Sequence, residues 1–99
     1  MGKVVISRLA ITDLEAIWNY TKTTWSEQQA NEYYGRLRAC MERLCDLPTF
    51  LETDYGFVRP GVLGFHIGHH VVLYRKAPDG SIFVSRILHE RMDFFRHLD

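Results

Sequence analysis

Ninety-nine residues, 46% of them apolar and 24% charged, describe one globular domain spanning 1–99 with room for a single core. Twelve basic residues balance twelve acidic ones, so the net charge is zero. A protein that lives by gripping phosphate backbones carries a surplus of Lys and Arg, so this balance argues against general nucleic-acid binding.

The chain opens on Met1-Gly2-Lys3-Val4-Val5-Ile6, with no apolar run long enough for a signal peptide or a membrane span. Ile6 also stands where a myristoylation signal needs Ser or Thr. A cytoplasmic protein is expected. Val4-Val5-Ile6 is β-branched and reads as a strand, and Ser7 is placed to cap a helix after it. Ala10, Leu14, Ile17, Trp18 and Thr21 recur at helical spacing, which predicts a helix over about 8–23. Thr12 with Glu15 forms a competing capping box, but Ser7 is the preferred start. A second helix has its own capping box in Ser26 and Gln29, with Trp25 as a staple against Ala30. Its apolar face runs Ala30, Tyr33, Tyr34, Leu37, Met41, Leu44, up to the stop at Pro48. The short connection predicts an antiparallel hairpin. Cys40 and Cys45 are five apart in that pattern, point in different directions and are expected to be free apolar filler.

Beyond Phe57 the period becomes two. Strands are predicted over 63–67, 71–75 and 82–89, with turns at Gly68 and at Pro78-Asp79-Gly80. They form an antiparallel meander, joined by the first strand. Residues 91–98 suggest a short helix with Met92, Phe95 and Leu98 on one side. The expected fold is therefore α+β: an N-terminal strand, an antiparallel helical hairpin packed on a small antiparallel sheet, and a short C-terminal helix.

The chemistry-bearing residues lie late in the chain. Six basic and four acidic side chains, and all five His, follow Val58, so this part is mildly positive. His66, His69 and His70 do not make a metal set, because adjacent strand residues face opposite ways and no Cys or carboxylate supports them at a ligand spacing. His89-Glu90 lacks the second His of a zincin motif, and no Gly-rich phosphate loop precedes a helix. No metal or cofactor is expected. Arg59, Arg86 and His89 could hold an RNA phosphate and move protons, as a metal-free nuclease must. The competing and preferred reading pairs the arginines, Arg75 included, with carboxylates such as Asp13, Glu15 and Asp93.

Taken in order, several strings resemble a known family. They are Asp13-Leu14-Glu15-Ala16-Ile17-Trp18-Asn19-Tyr20-Thr21, then Trp25-Ser26 with Gln29-Ala30 and Tyr33. Val58-Arg59-Pro60-Gly61 and Gly68-His69-His70-Val71-Val72-Leu73-Tyr74-Arg75 follow, and Arg86-Ile87-Leu88-His89, Arg91-Met92-Asp93 and His97-Leu98 close the chain. Each is weak alone; together they resemble the ParE toxins of the RelE/ParE superfamily over nearly the whole length. The resemblance implies a RelE-like fold, an antitoxin of the ParD kind, and DNA gyrase as the target. RelE-type members instead cut messenger RNA with a basic cluster and a Tyr or similar group near the C-terminus. Here Phe94-Phe95-Arg96-His97-Leu98-Asp99 holds no Tyr, and Arg59 has no neighbouring Lys pair.

The function expected is therefore inhibition by protein–protein binding, with no catalysis, no direct nucleic-acid binding and a hetero-oligomer formed with the antitoxin. Leu14, Trp18, Leu37, Met41 and Leu44 exceed what a four-stranded sheet would cover, and so are expected to receive the antitoxin as a helix in a groove. Arg91, Phe94, Phe95 and Arg96 are the expected target contacts. The alternative is a RelE-like ribonuclease that uses Arg59, Arg86 and His89.

Overall fold

The computed structural model describes residues 2–48 and 51–98. Strand β1 (Val4–Ile6) leads into helix α1 (Arg8–Thr24). Ser7 is the cap: its Oγ accepts the Ala10 N–H at 3.0 Å, while Thr12 lies inside the helix and donates its hydroxyl to the Arg8 carbonyl. Helix α2 (Glu27–Glu42) starts at Ser26, whose Oγ accepts the Gln29 N–H at 3.1 Å. It stops short of the predicted end at Pro48. A 3-10 turn at Leu44–Asp46 carries the apolar stripe one step further, so Leu44 still reaches the core.

Strands β2 (Thr53–Asp54), β3 (Leu63–Ile67), β4 (His70–Lys76) and β5 (Ile82–His89) follow, then helix α3 (Phe94–His97). The sheet order is β1-β5-β4-β3-β2. The meander of β3, β4 and β5 is antiparallel as expected. The sheet has one strand more than expected, β2, paired with β3. It is also mixed, because β1 runs parallel to β5, with Val4 opposite Ile82 and Ile6 opposite Val84. A chain that leaves β1 through a helical hairpin can return to its neighbour in either sense, so period-two patterning does not set this choice. Gly68 turns the β3–β4 hairpin at φ 57°, a backbone that an L side chain rarely adopts.

The sheet is covered on both faces. Ala10, Leu14, Leu37, Met41 and Leu44 pack on Val72, Tyr74, Ile82, Val84 and Ile87. On the opposite face Val62, Leu98, Tyr55, Val58 and Phe94 pack on Val71, Leu73 and Leu88. Gly64 lies under this second layer, where a Cβ would overlap the Tyr55 ring. Residues Val71 to Tyr74 are consequently all buried, which accounts for their unbroken apolar run.

The two layers are tied together through β5. Its register shifts opposite Leu73/Tyr74, between Val84 and Arg86. Past β1 its edge is taken up by side chains: Ser7 Oγ donates to the Ser85 carbonyl at 2.7 Å, and Asp13 Oδ2 accepts the Ile87 N–H at 3.0 Å. The same carboxylate receives Arg86 through Nε at 2.8 Å and Nη2 at 2.9 Å.

Leu44 is 1% exposed, so Leu44→Ala is expected to cost about 2–5 kcal/mol. A urea melt checks this; a loss below about 0.5 kcal/mol, the usual surface value, would contradict the packing.

Candidate functional site

Two regions of the surface concentrate aromatic and charged groups. The first is the C-terminal segment and the loop beneath it. Asp93 caps α3 by accepting the Phe95 N–H at 3.0 Å. The helix turns Phe94 inward, edge-on to Tyr55 with ring centroids 5.3 Å apart, and Leu98 into the second core layer. Phe95 faces outward and is 62% exposed, beside Phe57 at 71% with ring centroids 6.2 Å apart. Arg91, Met92 and Arg96 of the same segment are exposed too. Residues of this segment and the 55–58 loop line a cleft of about 430 Å³ that reaches His66 and Glu90.

The second region lies between the hairpin of helices and the ends of β4 and β5. A cleft of about 490 Å³ is lined by Tyr20, Trp25, Tyr33, Arg36, His70 and His89, among others. The Tyr33 hydroxyl donates to the Ile67 carbonyl at 3.2 Å and lies 2.6 Å from His70 Nδ1, which links α2 to the β3–β4 hairpin. The His70 ring is edge-on to His89, and His69 stacks on His89. Burial, then the neighbouring His89 and His69, push the His70 imidazole down to about 4. Glu90 takes His66 on one oxygen at 2.9 Å and His69 on the other at 3.0 Å. The His69 hydrogen bond, followed by the charge of the two imidazoles, holds the Glu90 carboxyl below its usual range despite the counteracting effect of desolvation. A smaller cleft of about 410 Å³ runs over the outer face of the hairpin, lined by Glu15, Trp18, Asn19, Asn31 and Tyr34.

Several expectations need correction. Leu14, Leu37, Met41 and Leu44 are no more than 2% exposed and belong to the core beneath the hairpin. They cannot meet a partner unless the core opens. They pack on β4 and β5, flanked by β1 and β3, so the four expected strands are enough to cover them and the inferred apolar surplus does not exist. Trp18 alone of that set keeps accessible surface, and its Nε1 donates to Asn31 Oδ1 at 2.9 Å. Tyr20 and Trp25, at 68% and 69% exposed, are more accessible than any of the five, and Trp25 is no buried staple. Of the four expected target contacts, Arg91, Phe95 and Arg96 are exposed, while Phe94 is largely turned inward. Met92, Phe95 and Leu98 do not share a side. Asp99, at the end of that stretch, lies outside the described residues.

The ribonuclease set is not assembled. Arg86 is bound to Asp13, the carboxylate pairing preferred above. Arg59 donates to the Leu98 carbonyl, and Arg75 to the Pro60 carbonyl at 2.8 Å, so these two arginines hold backbone and not the carboxylates expected. His89 pairs with His70 on the helix side of the sheet, whereas Arg86 pairs with Leu73, which faces the other side. Strand alternation does not foretell the convergence of His69, His70 and His89, because the turn at Gly68 removes His69 from the strand.

Fold and surface together define a small α+β domain, with a helical hairpin on one face of the sheet and a short C-terminal segment on the other. The family model "ParE toxin of type II toxin-antitoxin system, parDE" matches residues 4–94. Toxin ParE1 of Mycobacterium tuberculosis is 33% identical over 97 residues, 98% of each chain. Toxin ParE1 of Caulobacter vibrioides is 33% identical over 93 residues, 94% of each chain. A chain of the solved chromosomal ParDE TA system from P. aeruginosa superposes with a TM-score of 0.74 over 90% of this chain and 96% of that one. At 18% identity that likeness concerns the fold. The chain belongs to the ParE toxin family of type II toxin–antitoxin systems.

The His70 environment generates a pH dependence. An unfolded chain carries this imidazole near 6.5, the folded protein at about 4, so the unfolded state takes up the proton first as pH falls. The depressed pKa leaves stability intact above about 6.5 and erodes it progressively between about 6.5 and 4. His70→Gln should flatten that part of the curve. Urea melts from pH 7.5 to 4.5 check it; an equal acid loss in both proteins would assign the effect elsewhere.

Proposed function

We propose that this ParE-family protein arrests growth by binding DNA gyrase through its C-terminal segment, without catalysis, and that a ParD-like antitoxin neutralises it. The observation that carries the target half is the pairing of Phe95 and Phe57, both large, apolar and mostly exposed, on a segment whose Arg91 and Arg96 are exposed as well. Exposed aromatics and arginines are the residue types enriched at interface centres. The zero net charge and the absence of a C-terminal Tyr agree with a protein target over RNA. So does the engagement of Arg59 and Arg86 in bonds to the protein's own groups, with His89 on the far side of the sheet. The site of action is the cytoplasm, where gyrase and its DNA are found.

The antitoxin half is supported by family membership and by the ParDE neighbour. Its seat is the outer face and open end of the helical hairpin, where Trp18, Tyr20, Trp25 and Tyr34 stand accessible beside the two clefts. An amphipathic antitoxin helix fits such a surface. Neutralising a toxin reliably requires roughly nanomolar affinity, about −12 kcal/mol, and a buried area on the order of 1,600 Å².

Two measurements test these halves. In a supercoiling assay the protein should inhibit purified gyrase in proportion to dose. Phe95→Ala should weaken the effect by about tenfold or more, as loss of an aromatic hot spot does. Cut messenger RNA in a translating extract, with supercoiling normal, would favour the ribonuclease reading instead. Co-expression with the adjacent small reading frame should yield a nanomolar complex, and Trp25→Ala with Tyr20→Ala should weaken it by about tenfold or more. Micromolar binding, or indifference to both changes, would move the antitoxin elsewhere.

A further inference from the structure

Helix α3 is only four residues long, far below the length that holds a helix together alone. Its shape must be imposed from outside. Phe94 and Leu98 supply two side-chain anchors in the second core layer. The carbonyls at its end find no Gly turn of the usual kind, because no glycine follows Gly80. They meet arginines instead. Arg59 donates to the Leu98 carbonyl through Nε at 3.2 Å and Nη2 at 3.0 Å. Arg86 donates through Nη1 to the His97 carbonyl at 3.0 Å.

We propose that Arg59 and Arg86 are positioning residues for target binding: they clamp the last carbonyls of the C-terminal segment and so hold Phe95 and Arg96 outward in the orientation the target meets. This rests on the reading above, that the segment contacts the target. The two arginines come from different parts of the fold. Arg86 is fixed on β5 by its bidentate pair with Asp13. Arg59 sits in the 55–62 loop, whose backbone folds on itself through Arg59 N–H to the Tyr55 carbonyl and Val62 N–H to the Arg59 carbonyl. Two donors from two rigid supports, on two successive carbonyls, define the rotation of a short turn as well as its position. Side-chain packing at Phe94 and Leu98 alone would leave that rotation loose. Both donors are charged and both acceptors belong to a helix C-terminus, where cations are favoured. The grip takes only backbone, so Phe95 and Arg96 stay available. Pre-orienting them removes an ordering cost that binding would otherwise carry.

The experiment compares Arg59→Met, which keeps length and removes the donors, with Arg59→Lys, which retains one charged donor. Arg86 is left intact, since its loss would strand Asp13. In Arg59→Met the Arg96 and Leu98 amides, bonded to Asp93 and Phe94 carbonyls in the native protein, should exchange faster, while the β4 and β5 amides and antitoxin affinity stay as they were. Gyrase inhibition should weaken by about tenfold, and adding Phe95→Ala should then cost much less than it does in the parent. Arg59→Lys should recover part of both effects. Unchanged exchange, or unchanged inhibition with the full Phe95→Ala penalty, would overturn the proposal. Phe95→Ala with Arg96→Ala, both at exposed positions, separates the two readings. Inhibition that survives this double change removes the segment as target contact. Inhibition that is lost with it but insensitive to Arg59→Met removes only the clamp.

Discussion

The Asp13 carboxylate on α1 accepts two hydrogen bonds from Arg86 and one from the Ile87 backbone, and most of the molecule's geometry passes through that point. Strand β1 pairs with β5 only as far as Val84, whereas β5 continues to His89. The exposed edge beyond would leave a backbone donor without a partner, and Asp13 supplies it from the helix that β1 itself launches. Arg86 then neutralises the carboxylate. Both side chains are mostly shielded from water, so removing either would strand the other, which costs far more than the net worth of the pair. Because α1 is fixed to β5 in this way, the hairpin sits squarely on one face, and a guanidinium fixed by its bond to α1 reaches the C-terminal segment on the other.

The two faces of the sheet differ in character. On the helix side, polar groups gather at the open end, where Tyr33 and His70 lock α2 to the β3–β4 turn and burial, with His89 and His69 close by, keeps His70 neutral. On the other side the cover is thin: a loop, a short helix and Leu98. A thin layer can be held accurately only if its few backbone groups are each bonded to something rigid. The arginines do this, and it explains why residues that would suit phosphate binding take acceptors from the protein itself.

Membership of the ParE family and the arrangement of this surface bear on different questions. The family match concerns what kind of toxin this is, and the TM-score concerns its fold. The proposed contacts rest on this chain's own exposed residues. Phe57 and Phe95 come from distant parts of the sequence and meet only because Phe94 and Leu98 dock next to Tyr55 and Val58. An aromatic pair assembled in that manner is sensitive to everything that sets the docking of the segment.

Local order was legible from the sequence. Ser7 and Ser26 cap as their spacing suggests, Gly68 turns the hairpin, and three strands and two helices fall close to their periodicities, since each depends on residues within one turn or one pleat. The family-bearing strings were legible too. The parallel pairing of β1, the β2 edge and the second core layer were not, because strand sense and sheet width are decided by contacts far apart in the chain. Burial of Leu14, Leu37, Met41 and Leu44 was not legible either: how closely two helices seat on β4 and β5 depends on contacts that no local pattern records. The arginine clamp had no readable signal at all, as a carbonyl acceptor looks the same behind every side chain. Periodicity and capping residues thus determined which elements form, and tertiary structure alone decided which side chains remained at the surface, since exposure is what is left after every distant pairing has been made.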